Sequence, residues 1–139
     1  MEYFLCKVKL SRVQDNGKDK MVTEQYLFDA MSFTETEARV TEHVAPSIDG
    51  DFIITSISRY KISELLLDAP GDRYYRAKVD FIYIDDKGEE KRTPEHMLAI
   101  AYTLGEAKKI VDDALESSNL DYEVVKIEET PILEVVLKE

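Results

Sequence analysis

An internal duplication constrains the fold of this chain more than any other feature of its sequence. Shifted by 71 positions, "YFLCKVKLSRVQDNGKDK" falls on "YYRAKVDFIYIDDKGEEK", so that Gly17 meets Gly88. Nearer the C-terminus the shift is 70, and "DFIITSISRYKISELLL" falls on "DYEVVKIEETPILEVVL". Structural signals recur in the same order, which indicates repeated supersecondary units. The length of 139 residues is usual for one domain, so we expect a single domain over 1–139 made of two repeats, about 1–70 and 71–139.

Each repeat begins with the pattern of a β-hairpin. The first stretch alternates apolar with polar residues, which is the period of a half-buried strand. Its inward positions are Phe4, Cys6, Val8 and Leu10 in repeat one and Tyr75, Ala77, Val79 and Phe81 in repeat two. The turns "QDNGKD" and "DDKGEE" then supply a glycine where a left-handed residue is needed. A returning strand is predicted at about 21–31 and 92–101.

A helix is predicted next in each repeat. Thr34 with Glu37, and Thr103 with Glu106, fit a Thr-x-x-Glu capping box, in which each side chain satisfies a free backbone N–H. The shift between these two pairs is 69, which requires a two-residue gap in the second strand or at the helix entry. An even gap keeps the same face of the strand buried.

The end of each repeat is predicted to be extended. Strands at about 51–60 and 121–128 are followed by "ISELLLD" and "ILEVVLK", which fit either a strand or a short helix, and the β-branched residues of the second favour a strand. Across the turn in "DAPGDRYY" we expect 62–68 to pair with 73–80 as a hairpin. The sequence therefore predicts an α+β fold in which internally duplicated β-β-α-β(-β) units form a mainly antiparallel sheet with two helices.

Charge and cysteine content narrow the classes of partner. The formal net charge is -11, from 18 basic and 29 acidic residues, so nonspecific nucleic-acid binding and attraction to an anionic membrane are both disfavoured. No apolar run is long enough for a membrane span, and the N-terminal stretch lacks a secretory pattern. A single cysteine cannot form an internal disulfide, which favours a cytoplasmic location.

The sequence carries no strong catalytic or cofactor-binding motif. A glycine-rich phosphate loop, paired metal-binding cysteines or histidines and a serine nucleophile motif are all missing. Cys6 lies on the inward side of the first strand, where packing is favoured over reactivity. His43 and His96 do not correspond across the repeats, which makes a metal or acid–base role the weaker interpretation. We expect no catalytic residue, no metal and no cofactor.

Two charged pairs recur in both repeats. Lys7 corresponds to Lys78, and Glu24 corresponds to Glu95. Both lysines fall on the outward side of their strand, so all four residues are candidates for contacts with a partner. The favoured interpretation is a Lys–Glu cross-strand ion pair on a solvated face.

Several stretches resemble one family of proteins. They are "YFLCKV", "VTEQYLFDAMSFTETEARV", "ISRYKISELL" and "GDRYYRAKV", and with them the chain is similar over essentially its whole length to an uncharacterised group of small proteins from Bacteroidetes and their bacteriophages. The group is known only as a domain of unknown function. The resemblance implies a cytoplasmic accessory protein linked to phage or mobile-element biology, and it transfers no functional residue.

Three functions remain open from the sequence. The leading hypothesis is a non-catalytic binding protein whose repeats form a pseudo-symmetric sheet platform for a protein partner. Apolar groups on the second sheet face need a cover, which the chain itself supplies in the favoured interpretation and a homo-oligomer in the other. A nucleic-acid-associated protein or acidic DNA mimic is the second hypothesis, with a basic patch of Lys7, Lys9, Arg59, Arg76 and Lys78. The third is a small enzyme that uses Glu24 and Glu95 as acid/base groups.

Overall fold

In a computed structural model, which describes residues 2–138, the chain folds into two four-stranded sheets, each of which packs against one helix. In chain order the elements are β1 (Glu2–Val13), β2 (Asp19–Ala30), α1 (Phe33–Val44), a short 3₁₀ helix (Ala45–Ser47), β3 (Phe52–Arg59), β4 (Glu64–Leu66), β5 (Arg73–Ile84), β6 (Glu90–Ala101), α2 (Leu104–Glu116), β7 (Asp121–Glu129) and β8 (Ile132–Val136). The predicted α+β class with mainly antiparallel pairing and two helices is confirmed. The strands form two sheets, however, where the sequence suggested one.

The chain divides into two compact units that do not coincide with the two repeats. Unit 1 comprises residues 2–61 and 131–138, and unit 2 comprises 62–130. The strand order is β3-β1-β2-β8 in unit 1 and β7-β5-β6-β4 in unit 2. Each unit therefore takes its fourth strand from the other repeat, because β8 belongs to repeat two and β4 to repeat one.

The predicted hairpin between 62–68 and 73–80 is wrong. Strand β4 pairs parallel with β6, with Leu65 opposite Leu98. Strand β5 has no edge left for it, because β5 is central and pairs with both β6 and β7. Strand β8 pairs in the equivalent way with β2, with Val135 opposite Leu27. The exchange is thus reciprocal and keeps the same register in both units.

Glycine turns set the register of both long hairpins, as the sequence predicted. Gly17 has φ 79 and Gly88 has φ 80, a conformation that costs glycine little. Their backbone N–H groups donate to the carbonyls of Gln14 and Asp85, at 2.9 and 3.0 Å. These turns fix β1 against β2 and β5 against β6 over twelve residues in each strand.

The capping box predicted for the second helix is confirmed. The Thr103 hydroxyl accepts a hydrogen bond from the backbone N–H of Glu106 at 3.2 Å. The Glu106 carboxylate in turn accepts from the backbone N–H of Tyr102, also at 3.2 Å. The first bond satisfies a donor that the first turn of α2 leaves without an intrahelical partner, and the second satisfies the N–H of the residue before the N-cap.

The capping box predicted for the first helix is wrong. Ser32 is the N-cap of α1, and its side chain accepts from the backbone N–H of Glu35 at 3.1 Å, whereas Thr34 lies inside the helix. Ser32 lies 71 positions before Thr103, so the shift of the first strands continues into the helices and no two-residue gap exists. The shift changes to 70 only after the helices.

Replacement of the true cap should separate these two assignments. We expect Ser32→Ala to lower the free energy of unfolding by about 1 kcal/mol, because it removes the acceptor for a helix N-terminal N–H. Thr34→Ala is the matched control and should change it by less than about 0.5 kcal/mol. Urea denaturation followed by circular dichroism measures both. Equal effects of the two substitutions would contradict the assignment.

Each helix covers one face of its own sheet at a spacing of four residues. The buried positions are Thr36, Val40 and Val44 on α1 and Ala107, Val111 and Leu115 on α2. Below α1 the inward residues of β1 and β2 form one apolar cluster, comprising Phe4, Cys6, Val8, Leu10, Tyr26, Phe28 and Ala30. Below α2 the equivalent cluster includes Ala77, Val79, Met97 and Ala99. On the opposite face of each sheet, Leu27 and Leu98 are also fully buried, whereas Lys7 and Lys78 are exposed.

Cys6 lies where the sequence placed it, in the core of unit 1. It is fully buried, and its burial raises the pKa of the thiol to about 12. A thiol with so high a pKa is a poor nucleophile at neutral pH. Its counterpart in repeat two is Ala77, which is equally buried. Both observations agree with packing as the role of this side chain.

Candidate functional site

The two repeated lysines occupy equivalent, exposed positions in the two units. We call the face of each sheet that points away from its helix the outer face. Lys7 lies between buried Cys6 and Val8, and Lys78 between buried Ala77 and Val79, so both side chains project from the outer face. Each lysine also adjoins a β-bulge, where β3 or β7 accommodates one extra residue. The extra residue bends the edge strand beside the lysine.

In unit 2 the outer face holds a cavity of about 310 Å³, which we call the outer cavity. Its lining residues are Arg76, Lys78, His96, Lys126 and Glu128. They come from three adjacent strands, β5, β6 and β7. Lys78 stands directly opposite His96 on one side and Lys126 on the other, so these three form one row across the sheet. The outer cavity is thus rich in basic groups on a chain that is strongly acidic overall.

In the equivalent row of unit 1, the lysine is the only basic residue. Lys7 stands opposite Gln25 on β2 and Ser56 on β3. Neither neighbour carries a charge. The repeats therefore share a lysine on the outer face but differ in everything that surrounds it, and the concentration of positive charge is specific to unit 2.

Glu24 is held in a tight network on the helix side of unit 1. Its carboxylate accepts two hydrogen bonds from the Arg12 guanidinium, at 2.8 and 3.1 Å, and one from the Tyr26 hydroxyl at 2.7 Å. The bonds to Arg12 hold the pKa of Glu24 below its usual range. Burial, followed by the bond to Glu24, raises the pKa of Tyr26 to about 12. A carboxylate stabilised in this way is a poor general acid or base at neutral pH.

The expected Lys–Glu ion pair does not form. Val8, not Lys7, stands opposite Glu24, and residues directly opposite share a face. Lys7 and Glu24 therefore lie on opposite faces of the sheet. The same displacement places Val79 opposite Glu95 in unit 2. The lysines and the glutamates consequently form separate sites in each unit.

The repeat has not kept the environment of its two glutamates. The residues of repeat two that correspond to Arg12 and Tyr26 are Tyr83 and Met97. Tyr83 carries no positive charge and Met97 has no hydroxyl, so Glu95 lacks the ion pair that holds Glu24. The duplication therefore preserves the residue type at this position without preserving its interactions.

The Glu24 network should make the stability of unit 1 depend on pH. The folded pKa of Glu24 lies below its ordinary value of 4.5, so the network stabilises the fold above that value. This contribution is lost as the pH falls through the lowered pKa, because the unfolded chain binds the proton more readily. We expect Glu24→Gln to reduce the loss of stability on acidification below pH 4.5. Urea midpoints measured at a series of pH values test this.

A matched control comes from the other repeat. Glu95→Gln removes the corresponding carboxylate, but Glu95 has no counterpart of the Arg12 pair. The pH dependence of stability should therefore stay close to that of the unchanged chain. An equal loss of pH dependence in both variants would show that the Arg12 network is not its source.

The remaining candidates have structural partners. Arg59, a member of the predicted basic patch, donates to Glu2 at 3.0 Å and stacks on the ring of Phe33 at 4.9 Å. His43 lies 2.8 Å from the Glu134 carboxylate of β8. Of the predicted patch, Arg76 and Lys78 meet in the outer cavity, while Lys7, Lys9 and Arg59 belong to unit 1.

A second cavity, in unit 1, has a mixed lining. It is also about 310 Å³ and is bordered by Arg12 together with Asp19, Asp49 and Asp51. Within residues 2–138, no group of three or more His, Cys, Asp or Glu side chains is arranged to hold a metal ion. The outer cavity is therefore the better candidate for binding a charged ligand, because basic groups predominate there.

Sequence reasoning identified part of the outer cavity. Lys78 was a candidate because it recurs, and Arg76 was assigned to the basic patch, but His96 and Lys126 were not connected with either. The glycine turn at Gly88 fixes the register that brings His96 beside Lys78, so that pair was predictable. Lys126 was not, because the bulge beside Lys78 shifts β7 by one residue.

Comparison with known proteins shows which family the chain matches. The model of one family, described as a domain of unknown function (DUF4494), matches residues 2–138. No curated protein and no solved structure gives a match to the chain. Neither helix of the described residues has the length and apolar character needed to cross a membrane.

Proposed function

The chain belongs to the DUF4494 family, and from this premise we propose that it is a non-catalytic binding protein that engages a protein partner through the outer faces of its sheets. The observation that carries the proposal is the recurrence of an exposed lysine, Lys7 and Lys78, beside a β-bulge on each outer face. Bulges next to exposed side chains are a common way to aim a contact residue. Glu24 and Glu95 stay secondary candidates for partner contacts.

An acid/base enzyme receives less support than a binding protein. Glu24 accepts three hydrogen bonds, and the bonds from Arg12 lower its pKa, so the carboxylate stays ionised. A general acid needs the opposite, a pKa raised towards the working pH. The nucleic-acid hypothesis has no dedicated support either, because Arg59 of its patch is already paired with Glu2. A gel shift at low salt with no retarded band would remove the basic-patch form of this hypothesis, though not the DNA-mimic form.

The cellular setting is part of the proposal. We propose a cytoplasmic accessory protein, linked to phage or mobile-element biology by its sequence resemblance, with a homo-oligomer as one form of the partnership. We further propose that 1–139 acts as one domain made of two repeats. The reciprocal exchange of β4 and β8 supports this, since neither repeat completes a sheet with its own strands. Light scattering of the purified chain tests the oligomer.

Charge reversal on the outer faces tests the binding function. The tagged chain is used to capture proteins from native lysate, and the captured set is compared by mass spectrometry with that of a Lys7→Glu/Lys78→Glu variant. The matched control is Lys20→Glu/Lys91→Glu, which reverses another pair of exposed lysines that recurs in both repeats. We expect the first variant to lose a partner that the control retains. Equal retention by both variants would overturn the proposal.

A further inference from the structure

The row of basic residues in the outer cavity brings two lysines close together. Lys126 and Lys78 stand directly opposite each other on adjacent strands, and His96 continues the row on the far side of Lys78. Residues opposite each other in an antiparallel pair have Cα atoms about 4.5–5.5 Å apart. Like charges in that position destabilise a sheet. An arrangement of this kind becomes favourable when an anion lies between the charges.

Glu128 is the acidic residue among those that line the outer cavity. Glu128 pairs with Lys126 at 3.4 Å and stands opposite Arg76 on the adjacent strand. The two facing lysines, Lys78 and Lys126, thus outnumber the one carboxylate of the lining. A phosphate monoester carries about -1.5 to -2 at neutral pH, so it can interact with both lysines more strongly than a single carboxylate can.

The geometry of the donors also suits a phosphate group. Arginine presents a planar fork of N–H donors, and lysine presents a compact ammonium, which together can contact several oxygens of one phosphate. Here these donors approach from two strands, β5 and β7, around a cavity of about 310 Å³. That volume has room for the phosphate and a small group attached to it, but not for the core of a folded domain.

We propose that the outer cavity of unit 2 binds the phosphate group of a small phosphorylated molecule, with Lys78 and Lys126 as the principal charge partners and Arg76 as a further donor. The inference uses the same outer face as the proposed function, but it concerns unit 2 alone. Unit 1 provides the contrast, since Lys7 there stands between Gln25 and Ser56. A phosphate site and a protein partner can therefore be tested separately.

Calorimetric titration of the full chain in a phosphate-free buffer tests the inference. The probes are inorganic phosphate and phenyl phosphate, with acetate as the carboxylate comparison. We expect saturable binding of one phosphate per chain. Lys78→Gln or Lys126→Gln should each weaken it by about tenfold or more, because each removes a charge-assisted hydrogen bond. Lys7→Gln, the matched control in unit 1, should leave the affinity within about twofold.

A stability measurement gives a second, independent readout. Phosphate binding to the folded chain should raise its melting temperature, and Lys78→Gln should make that increase smaller at the same phosphate concentration. In phosphate-free buffer the same variant should be at least as stable as the unchanged chain, because it relieves the repulsion from Lys126. Absence of saturable phosphate binding, acetate binding of equal strength, or an equal loss in Lys7→Gln would each overturn the inference. Protein capture that fails while phosphate binds would overturn only the proposed function.

Discussion

Removal of residues 131–138 is expected to destabilise unit 1 by about 3–5 kcal/mol while leaving unit 2 folded, because the deletion removes a whole strand with its hydrogen bonds and apolar contacts. Strand β8 closes the sheet of unit 1 beside β2, and Val136 packs against the core. The loss is large against a typical domain stability of about 5–15 kcal/mol. Hydrogen exchange resolved by residue should show lost protection in β1–β3 and retained protection in β5–β7.

Supplying the strand separately controls for indirect effects of the truncation. A peptide of residues 131–138 should restore protection to β1–β3, since strand addition at a free edge uses the same main-chain bonds. Point substitutions give a matched comparison. Val136→Asp should be strongly destabilising, whereas Leu133→Asp should be tolerated, because Leu133 is 54% exposed. Unchanged protection of β1–β3 after truncation would contradict the assigned role of β8.

Loss of the Asp29 carboxylate is expected to cost unit 1 about 2–4 kcal/mol, because it leaves a mostly buried arginine without its counter-ion. Asp29 is only 9% exposed and accepts from the Arg39 guanidinium and from the backbone N–H of Lys138, each at 2.9 Å. Arg39 also donates to the backbone carbonyls of Asp29 and, at 3.5 Å, Val136. The pair thereby ties α1, β2 and the end of β8 together.

The duplication supplies the control for this prediction. Repeat two has Ile100 and Ile110 at the positions of Asp29 and Arg39, so the same fold accepts an apolar pair there. We expect Asp29→Ile/Arg39→Ile to be clearly less destabilised than Asp29→Ala, because no charge is left unpaired. A double-mutant cycle by urea unfolding measures the coupling. If the double variant is as unstable as the sum of the single variants, the buried charge is not the cause.

Local signals in the sequence predicted the local elements well. The alternation around Cys6, the glycine turns and the Thr103 cap all correspond to observed structure, because each depends on residues that are close together in the chain. The prediction of a cap at Thr34 was wrong because a local signal can point to two neighbouring residues. Ser32 and Thr34 are both good caps, each three residues before a glutamate, and only the repeat shift of 71 distinguishes them.

Long-range pairing was the part that the sequence did not reveal. The apolar pattern of "ISELLLD" fits any sheet edge, and proximity along the chain favoured β5 as its partner. The actual partner is β6, because β7 occupies the remaining edge of β5. The outer cavity is hidden for the same reason. Lys126 joins Lys78 only through the pairing of β7 with β5 and its bulge, which leave no local signature in the sequence.

The reciprocal strand exchange also has a consequence for the order in which the chain can fold as it is made. A ribosome delivers all of 62–130 before it delivers β8, so unit 2 can close while unit 1 still lacks its last strand. The first-made part of the chain is therefore completed last, in contrast to the usual order in which N-terminal structure folds first during synthesis. Until residues 131–138 emerge, the edge of β2 that β8 will occupy is available to pair with other strands.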